Sequence, residues 1–157
     1  MKRIIAMICA LAMLLSMTVY AGNKKPLISA DTVTAEPGAT VKVPVRISGN
    51  PGMIGAKITV SYAKGLTLTE ISAGEAFAAL TMTAPGDKKA NPVNILWDAM
   101  DIDDQDVKDG VIATLSFTAP REAGTYAITL STEKRDNLDR NMKHVDVACA
   151  AGSVTVG

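Results

Sequence analysis

From Leu27 onward the chain changes polarity at every second position, and a period of two predicts strands rather than helices. Val41, Val43, Val45 and Ile47 alternate with Lys42, Pro44, Arg46 and Ser48. Pro44 falls on the polar phase and has no N–H to give to a ladder, which places that strand at a sheet edge or a bulge. Ile54, Ala56, Ile58, Val60 and Tyr62 alternate with Gly55, Lys57, Thr59 and Ser61. In the segment 94–98, Ile95 and Trp97 take one phase while Asn94, Leu96 and Asp98 take the other. Val111, Ala113, Leu115 and Phe117 oppose Ile112, Thr114, Ser116 and Thr118. Tyr126, Ile128 and Leu130 repeat the pattern, as do Val145 with Val147 and Val154 with Val156. The alanine-rich stretch from Gly74 to Leu80 predicts a helical turn leading into a strand.

Turn residues punctuate these runs: Glu36-Pro37-Gly38, Asn50-Pro51-Gly52, Lys64-Gly65, Pro85-Gly86, Asp109-Gly110 and Ala123-Gly124. Pro-Gly supplies the fixed φ and then the positive φ of a type II turn. Short strands with turns at roughly ten-residue spacing predict an all-β sandwich and not a βαβ sheet. The chain shows no internal repeat, linker or second domain.

The first 21 residues follow a different rule. Lys2-Arg3, an apolar run from Ile4 to Leu15, and the ending Val19-Tyr20-Ala21 predict a secretory signal peptide, which makes the protein secreted. The run is too short for a membrane span, which needs about 20 apolar residues. The remaining 22–157 is expected to be one domain. Over all 157 residues, 16 basic side chains balance 16 acidic ones; loss of Lys2 and Arg3 leaves 14 against 16. That near-neutral balance excludes a nucleic-acid binder held by a broad basic face. Cys149 is then the one cysteine left, so an intramolecular disulfide is excluded.

Candidate chemistry is sparse. His144 is the one histidine, and Cys149, five residues on in the same predicted strand region, falls on the opposite face. The pair reads as a solvated loop histidine and a small core thiol. No G-x-S-x-G elbow, Gly-rich phosphate loop or His-rich metal cluster occurs, so no catalytic residue is assigned. Asp98, Asp101, Asp103, Asp104, Asp106 and Asp109 crowd one segment opposed by Lys108 alone. A solvated, self-repelling loop explains them, and a calcium site through Asp101, Asp103 and Asp106 is the other reading. Against the EF-hand pattern, Asp106 stands where the glycine belongs and Ile112 where the glutamate belongs. Trp97, Tyr62 and Phe117 lie on apolar phases, leaving no flat ring to stack on a sugar. Leu96, on an otherwise polar face beside Gly55, Lys57 and Thr59, is either a partner anchor or an ordinary exposed apolar residue.

Several of these segments together resemble a cohesin domain, the receptor module of bacterial cellulosomes. The resemblance rests on Glu36-Pro37-Gly38 followed by Val41-x-Val43-Pro44-Val45 and on Gly55-Ala56-Lys57-Ile58-x-Val60-x-Tyr62 leading to Leu66-x-Leu68. Asp109-Gly110-Val111-Ile112-Ala113-Thr114-Leu115-x-Phe117 and the closing Gly152-Ser153-Val154-x-Val156-Gly157 complete it, from Ile28 to Gly157.

The resemblance implies a nine-stranded jelly-roll β-sandwich that captures a dockerin, a small calcium-loaded module carried by secreted enzymes or scaffold proteins of polysaccharide degradation. It implies a capturing face made by Gly55–Ser61, Asn94–Asp98, the acidic loop that follows, and the strand beginning near Val111. The partner-binding residues are then Gly55, Lys57, Thr59, Asn94, Leu96, Asp98, Asp101 and Asp103. Members of the family carry Asn and Asp where this chain has Gly55 and Lys57, so a partner recognised through that polar pair is expected to fit poorly. The module is expected to be a non-catalytic monomer without its own cofactor, any calcium belonging to the partner. A carbohydrate-binding or adhesive sandwich is the alternative.

Overall fold

Alternating apolar positions become twelve strands in the computed structural model, which describes residues 24–88 and 90–157. The predicted leader Met1–Ala21 lies outside the described residues. In chain order the strands are β1 (Leu27–Ala30), β2 (Thr32–Ala35), β3 (Thr40–Ser48), β4 (Met53–Tyr62), β5 (Thr67–Ala73) and β6 (Thr81–Thr83). They continue with β7 (Val93–Asp98), β8 (Gly110–Thr118), β9 (Gly124–Ser131), β10 (Leu138–Asp139), β11 (Ala148–Ala150) and β12 (Gly152–Val156). One sheet has the order β11-β1-β3-β8-β5; the other runs β2-β12-β9-β4-β7-β6, with β10 also pairing β4.

Only Asp31 separates β1 from β2, and only Ala151 separates β11 from β12. Each pair is one extended run that leaves the first sheet and enters the second. The two runs cross side by side: β1 pairs β11 in parallel, and β2 pairs β12 in parallel. Their contact depends on Gly152, where a Cβ would lie 2.4 Å from the Asp31 carbonyl oxygen and 2.5 Å from that of Ala30. With each run taken as one strand and the two-residue β10 set aside, the expected nine-stranded sandwich results.

Trp97, Phe117, Ile58, Ile95, Leu115 and Ile128 fill the space between the sheets and are fully buried. The alanine-rich segment forms a short 3-10 turn, Glu75–Phe77, and then β6, as its sequence predicts. Its Phe77 ring meets Trp97 edge-on with centroids 5.6 Å apart. At the other end of the core, Tyr62 meets Phe117 the same way at 5.2 Å.

The alternation misleads in four places. Ile112, counted with the polar phase, is fully buried. Val45 faces Ala113 and Arg46 faces Val111, so Ile112 is the extra residue of a bulge and its side chain turns inward. Pro44 lies on an interior strand, so the edge half of its expectation fails, while the bulge half is met next to it, where the β3–β8 register shifts between Val45 and Arg46. It is tolerated because its polar side faces Asp31, whose N–H donates to the Pro44 carbonyl at 2.9 Å, where β1 has already left the sheet. Val145–Val147 is not a strand; Val147 is buried from an irregular segment before β11. His144 and Cys149 therefore share no strand: His144 bridges to Leu138 in one sheet, while Cys149 pairs with Ile28 in the other. His144 is exposed and Cys149 half-buried, and burial pushes the Cys149 thiol pKa up.

Candidate functional site

Pairing between β4 and β7 builds the centre of the exposed sheet face. Gly55 lies opposite Asp98, Lys57 opposite Leu96, and Thr59 opposite Asn94. Cross-strand partners share a face, so six of the eight predicted partner-binding residues stand together. Beneath them Ile58, Ile95 and Trp97 point into the core. Strict alternation thus leaves Leu96 outside, 42% exposed on a strand whose inward residues are fully covered. Thr59 Oγ1 donates to Asn94 Oδ1 at 2.7 Å and ties the two strands on the open side.

Flanking strands widen this surface with residues that sequence reasoning missed. Thr81 and Thr83 of β6 lie opposite Asp98 and Leu96, and Ser131 of β9 lies opposite Thr59. Their alternation with Met82 and Leu130 was the available signal. Leu138 of β10 faces Gly55, where a Cβ would sit 3.5 Å from the Leu138 Cβ. An open depression of about 370 Å³ adjoins Leu96, lined by Thr83, Pro85, Pro92 and Asn94 among others.

One expected component is not there. The strand beginning near Val111 is β8, which belongs to the opposite sheet between β3 and β5. The long crossover from β7 through the acidic loop carries the chain to the other layer. Strands β9 and β10 occupy the flank of β4 instead.

Lys57 has a partner no local pattern reveals. Its Nζ lies 3.8 Å from the Asp136 carboxylate, which sits on a 3-10 turn at Lys134–Asp136. That turn is pinned from below. Thr132 Oγ1 donates to the Lys57 carbonyl at 2.6 Å, and the buried Asn137 Nδ2 donates to Thr132 Oγ1 at 2.9 Å and to the Glu133 carbonyl at 3.0 Å. The Lys57 amine therefore has an acid of its own beside it.

The acidic segment is more ordered than a self-repelling loop. Asp103 and Asp106 form a reciprocal capping box on the 3-10 turn Asp104–Asp106, and the Asp101 carboxylate accepts the Ile102 N–H at 2.9 Å. Asp104 pairs with Arg140 beyond β10, so Lys108 is not the only cation opposing the cluster. Among the described residues no group of three or more His, Cys, Asp or Glu side chains is placed to hold a metal ion. Asp101 and Asp103 stand at the rim beyond Asp98, apart from the six residues on the sheet.

Asp109 has a structural task. Its two carboxylate oxygens accept the Gly49 and Asn50 N–H groups at 3.0 and 2.9 Å, fixing the β3–β4 turn from the far end of the acidic segment. Exposed hydrogen bonds to a charged acceptor contribute about 1–2 kcal/mol together. Asp109→Ala is expected to lower Tm by roughly 3–6 °C in scanning calorimetry.

This shallow, hydroxyl-rich sheet face surrounds the exposed Leu96, its described residues include no nucleophile–base pair, and its geometry suits contact with another macromolecule. The described aromatics are withdrawn from it: Trp97 and Phe117 are buried in the core, and the Tyr62 hydroxyl donates to the Ala90 carbonyl at 3.1 Å. Burial, reinforced by the Asp87 charge, pushes the Tyr62 phenol pKa up.

Comparison with known proteins agrees with this architecture. The structure is similar to a non-cellulosomal cohesin from the hyperthermophilic archaeon Archaeoglobus fulgidus, with TM-score 0.72 and 19% identity over 85% of this chain and 92% of that one. It is equally similar to the cohesin of a type I cohesin–dockerin complex from Clostridium thermocellum, with TM-score 0.72 and 18% identity over 85% and 100% of the two chains. A cohesin from Clostridium acetobutylicum matches with TM-score 0.64 and 24% identity over 85% and 92%. No curated protein matches the chain. The model of the cohesin domain matches residues 27–156, nearly the whole of the described sandwich, and the chain belongs to that family.

Proposed function

We propose that this protein is a secreted, non-catalytic docking module that captures a dockerin-bearing protein on the β9-β4-β7-β6 face. The observation that carries the reading is Leu96. It stands exposed at the centre of a flat face, framed by Lys57, Asn94, Asp98 and Thr83, in a family whose structural neighbours include complexes with dockerins. An apolar anchor inside a polar surround is the arrangement in which a few residues dominate binding energy. The captured protein is an enzyme or scaffold of polysaccharide degradation, exported like this chain through its Met1–Ala21 leader. Calcium dependence belongs to the partner. The Lys57–Asp136 pair, in place of the family's polar pair on β4, selects a dockerin of different charge pattern.

Calorimetric titration of the purified protein with a panel of calcium-loaded dockerin modules tests this. Saturable one-to-one binding, abolished when the dockerin is stripped with chelator, is the expected result. Silence across the panel, with retention on insoluble polysaccharide, supports the carbohydrate-binding alternative instead.

A further inference from the structure

Two methionines stand out because the fold spends structure on exposing them. Met100, just past β7, is fully exposed, and Met142, in the turn after β10, is 70% exposed. They leave the sheet at the same end. Strands β7 and β10 both run antiparallel to β4, with Asp98 and Leu138 on either side of Gly55. Met100 and Met142 follow them past the Gly52 turn.

Neither loop is loose. Ala99 N–H donates to the Ile54 carbonyl at 2.8 Å, and Ile102 is buried, so Met100 is gripped from both sides. In the other loop, the Asp139 carboxylate accepts the Asn141 and Lys143 N–H groups at 2.8 and 3.0 Å, and Arg140 N–H donates to the Gly52 carbonyl at 2.8 Å. The Asp104–Arg140 ion pair bridges the two loops. Met142 is also held at φ 61°, the only described residue other than glycine with a positive φ. The turn itself asks for this conformation, since Met142 N–H donates to the Asp139 carbonyl at 2.9 Å and Asp139 N–H to that of Lys143 at 3.0 Å, but glycine or asparagine fills such a position at less cost than a large side chain. Methionine suits such a place because its flexible, polarizable side chain adapts to whatever apolar surface meets it.

The charge around the pair states the partner's chemistry. Residues 98–109 and 138–144 carry seven aspartates against Lys108, Arg140 and Lys143. We propose that Met100 and Met142 are secondary anchors that seat a partner segment whose apolar side chains are flanked by lysine or arginine. This rests on the docking reading above, and it extends the contact from the Leu96 face across the acidic rim. Pre-formed loops lower the ordering cost of such a contact, while the aspartates draw the basic segment in and fix its register.

The test uses whichever dockerin module of the panel binds the wild-type protein. Met100→Gln and Met142→Asn are each expected to weaken binding about fivefold to tenfold. Asparagine accepts the left-handed conformation, so Met142→Asn is also expected to raise Tm by about 2 °C. Raising sodium chloride from 0.05 to 0.5 M is expected to weaken wild-type binding roughly tenfold. A double variant binding within twofold of wild type, while Leu96→Asp loses binding, overturns this inference and leaves the docking reading standing. A fall in Tm for Met142→Asn also overturns it, since the methionine would then serve the fold. Salt-independent binding removes the basic partner segment. If no dockerin binds even the wild-type protein, the docking reading falls and takes this inference with it.

Discussion

Leu96→Asp is expected to weaken dockerin binding at least a hundredfold while leaving Tm within about 2 °C of the wild type. The asymmetry follows from where alternation puts this residue. Its neighbours along the strand, Ile95 and Trp97, are buried, and either of them changed to aspartate would place an unpaired charge in the core. Leu96 instead projects between Thr83 and Lys57, so the free protein solvates the new carboxylate at little cost. A docked partner covers it, and the cost of stripping water from the carboxylate adds to the lost apolar contact. Together these amount to about 3 kcal/mol. Calorimetric titration and thermal unfolding of one preparation read both quantities. Normal affinity would move the interface off this face; loss of folding would make Leu96 a core residue.

A large expected loss of stability comes from a residue with no side chain. Gly152→Ala places a methyl group 2.4 and 2.5 Å from two carbonyl oxygens, well inside van der Waals contact. Both obstacles are backbone of the β1–β2 crossing and cannot swing away like a side-chain tip. The crossing runs must separate, disturbing the β1–β11 and β2–β12 pairings at once. A cost of about 3 kcal/mol or more lowers Tm by roughly 10 °C. Chemical denaturation should show the change in midpoint without a change in slope. A Tm within 2 °C of wild type would mean that the two runs part easily.

Most of the sandwich was legible because its core is built from period-two strands, and the inward phase of β4, β7 and β9 emerges directly from the sequence. The same alternation put Gly55, Lys57 and Thr59 on one phase and Asn94, Leu96 and Asp98 on another, and the family resemblance joined the two sets into one face. What it could not supply was anything set by contacts distant in sequence. A bulge at Ile112 shifts phase without changing composition, so the residue reads as outward although it is buried. Pro44 left an edge and a bulge both open, because one strand carries no record of where its neighbour turns away. Position 57 showed a lysine, but its pairing with Asp136 depends on a turn 79 residues later. The acidic segment looked opposed by Lys108 alone because Arg140 reaches it from another loop. The resemblance put the strand near Val111 on the capturing face, whereas β8 lies in the opposite sheet; alternation could not correct this, because it says which face is buried and not which layer a strand joins.

The paired crossovers also govern how the domain responds to pulling. Leu27 begins the first run and Val156 ends the last, and the two runs lie parallel, β1 along β11 and β2 along β12. Tension applied between those two residues acts along the strand axes in opposite directions. The hydrogen bonds joining the runs are then loaded together in shear, whereas a hairpin pulled at its open end breaks its bonds in succession. Under such load the forced unfolding rate, more than the equilibrium stability, decides how long the domain survives. The Gly152 contact lies midway along this seam, so the same close approach that makes the residue irreplaceable keeps the two runs in register while they carry force.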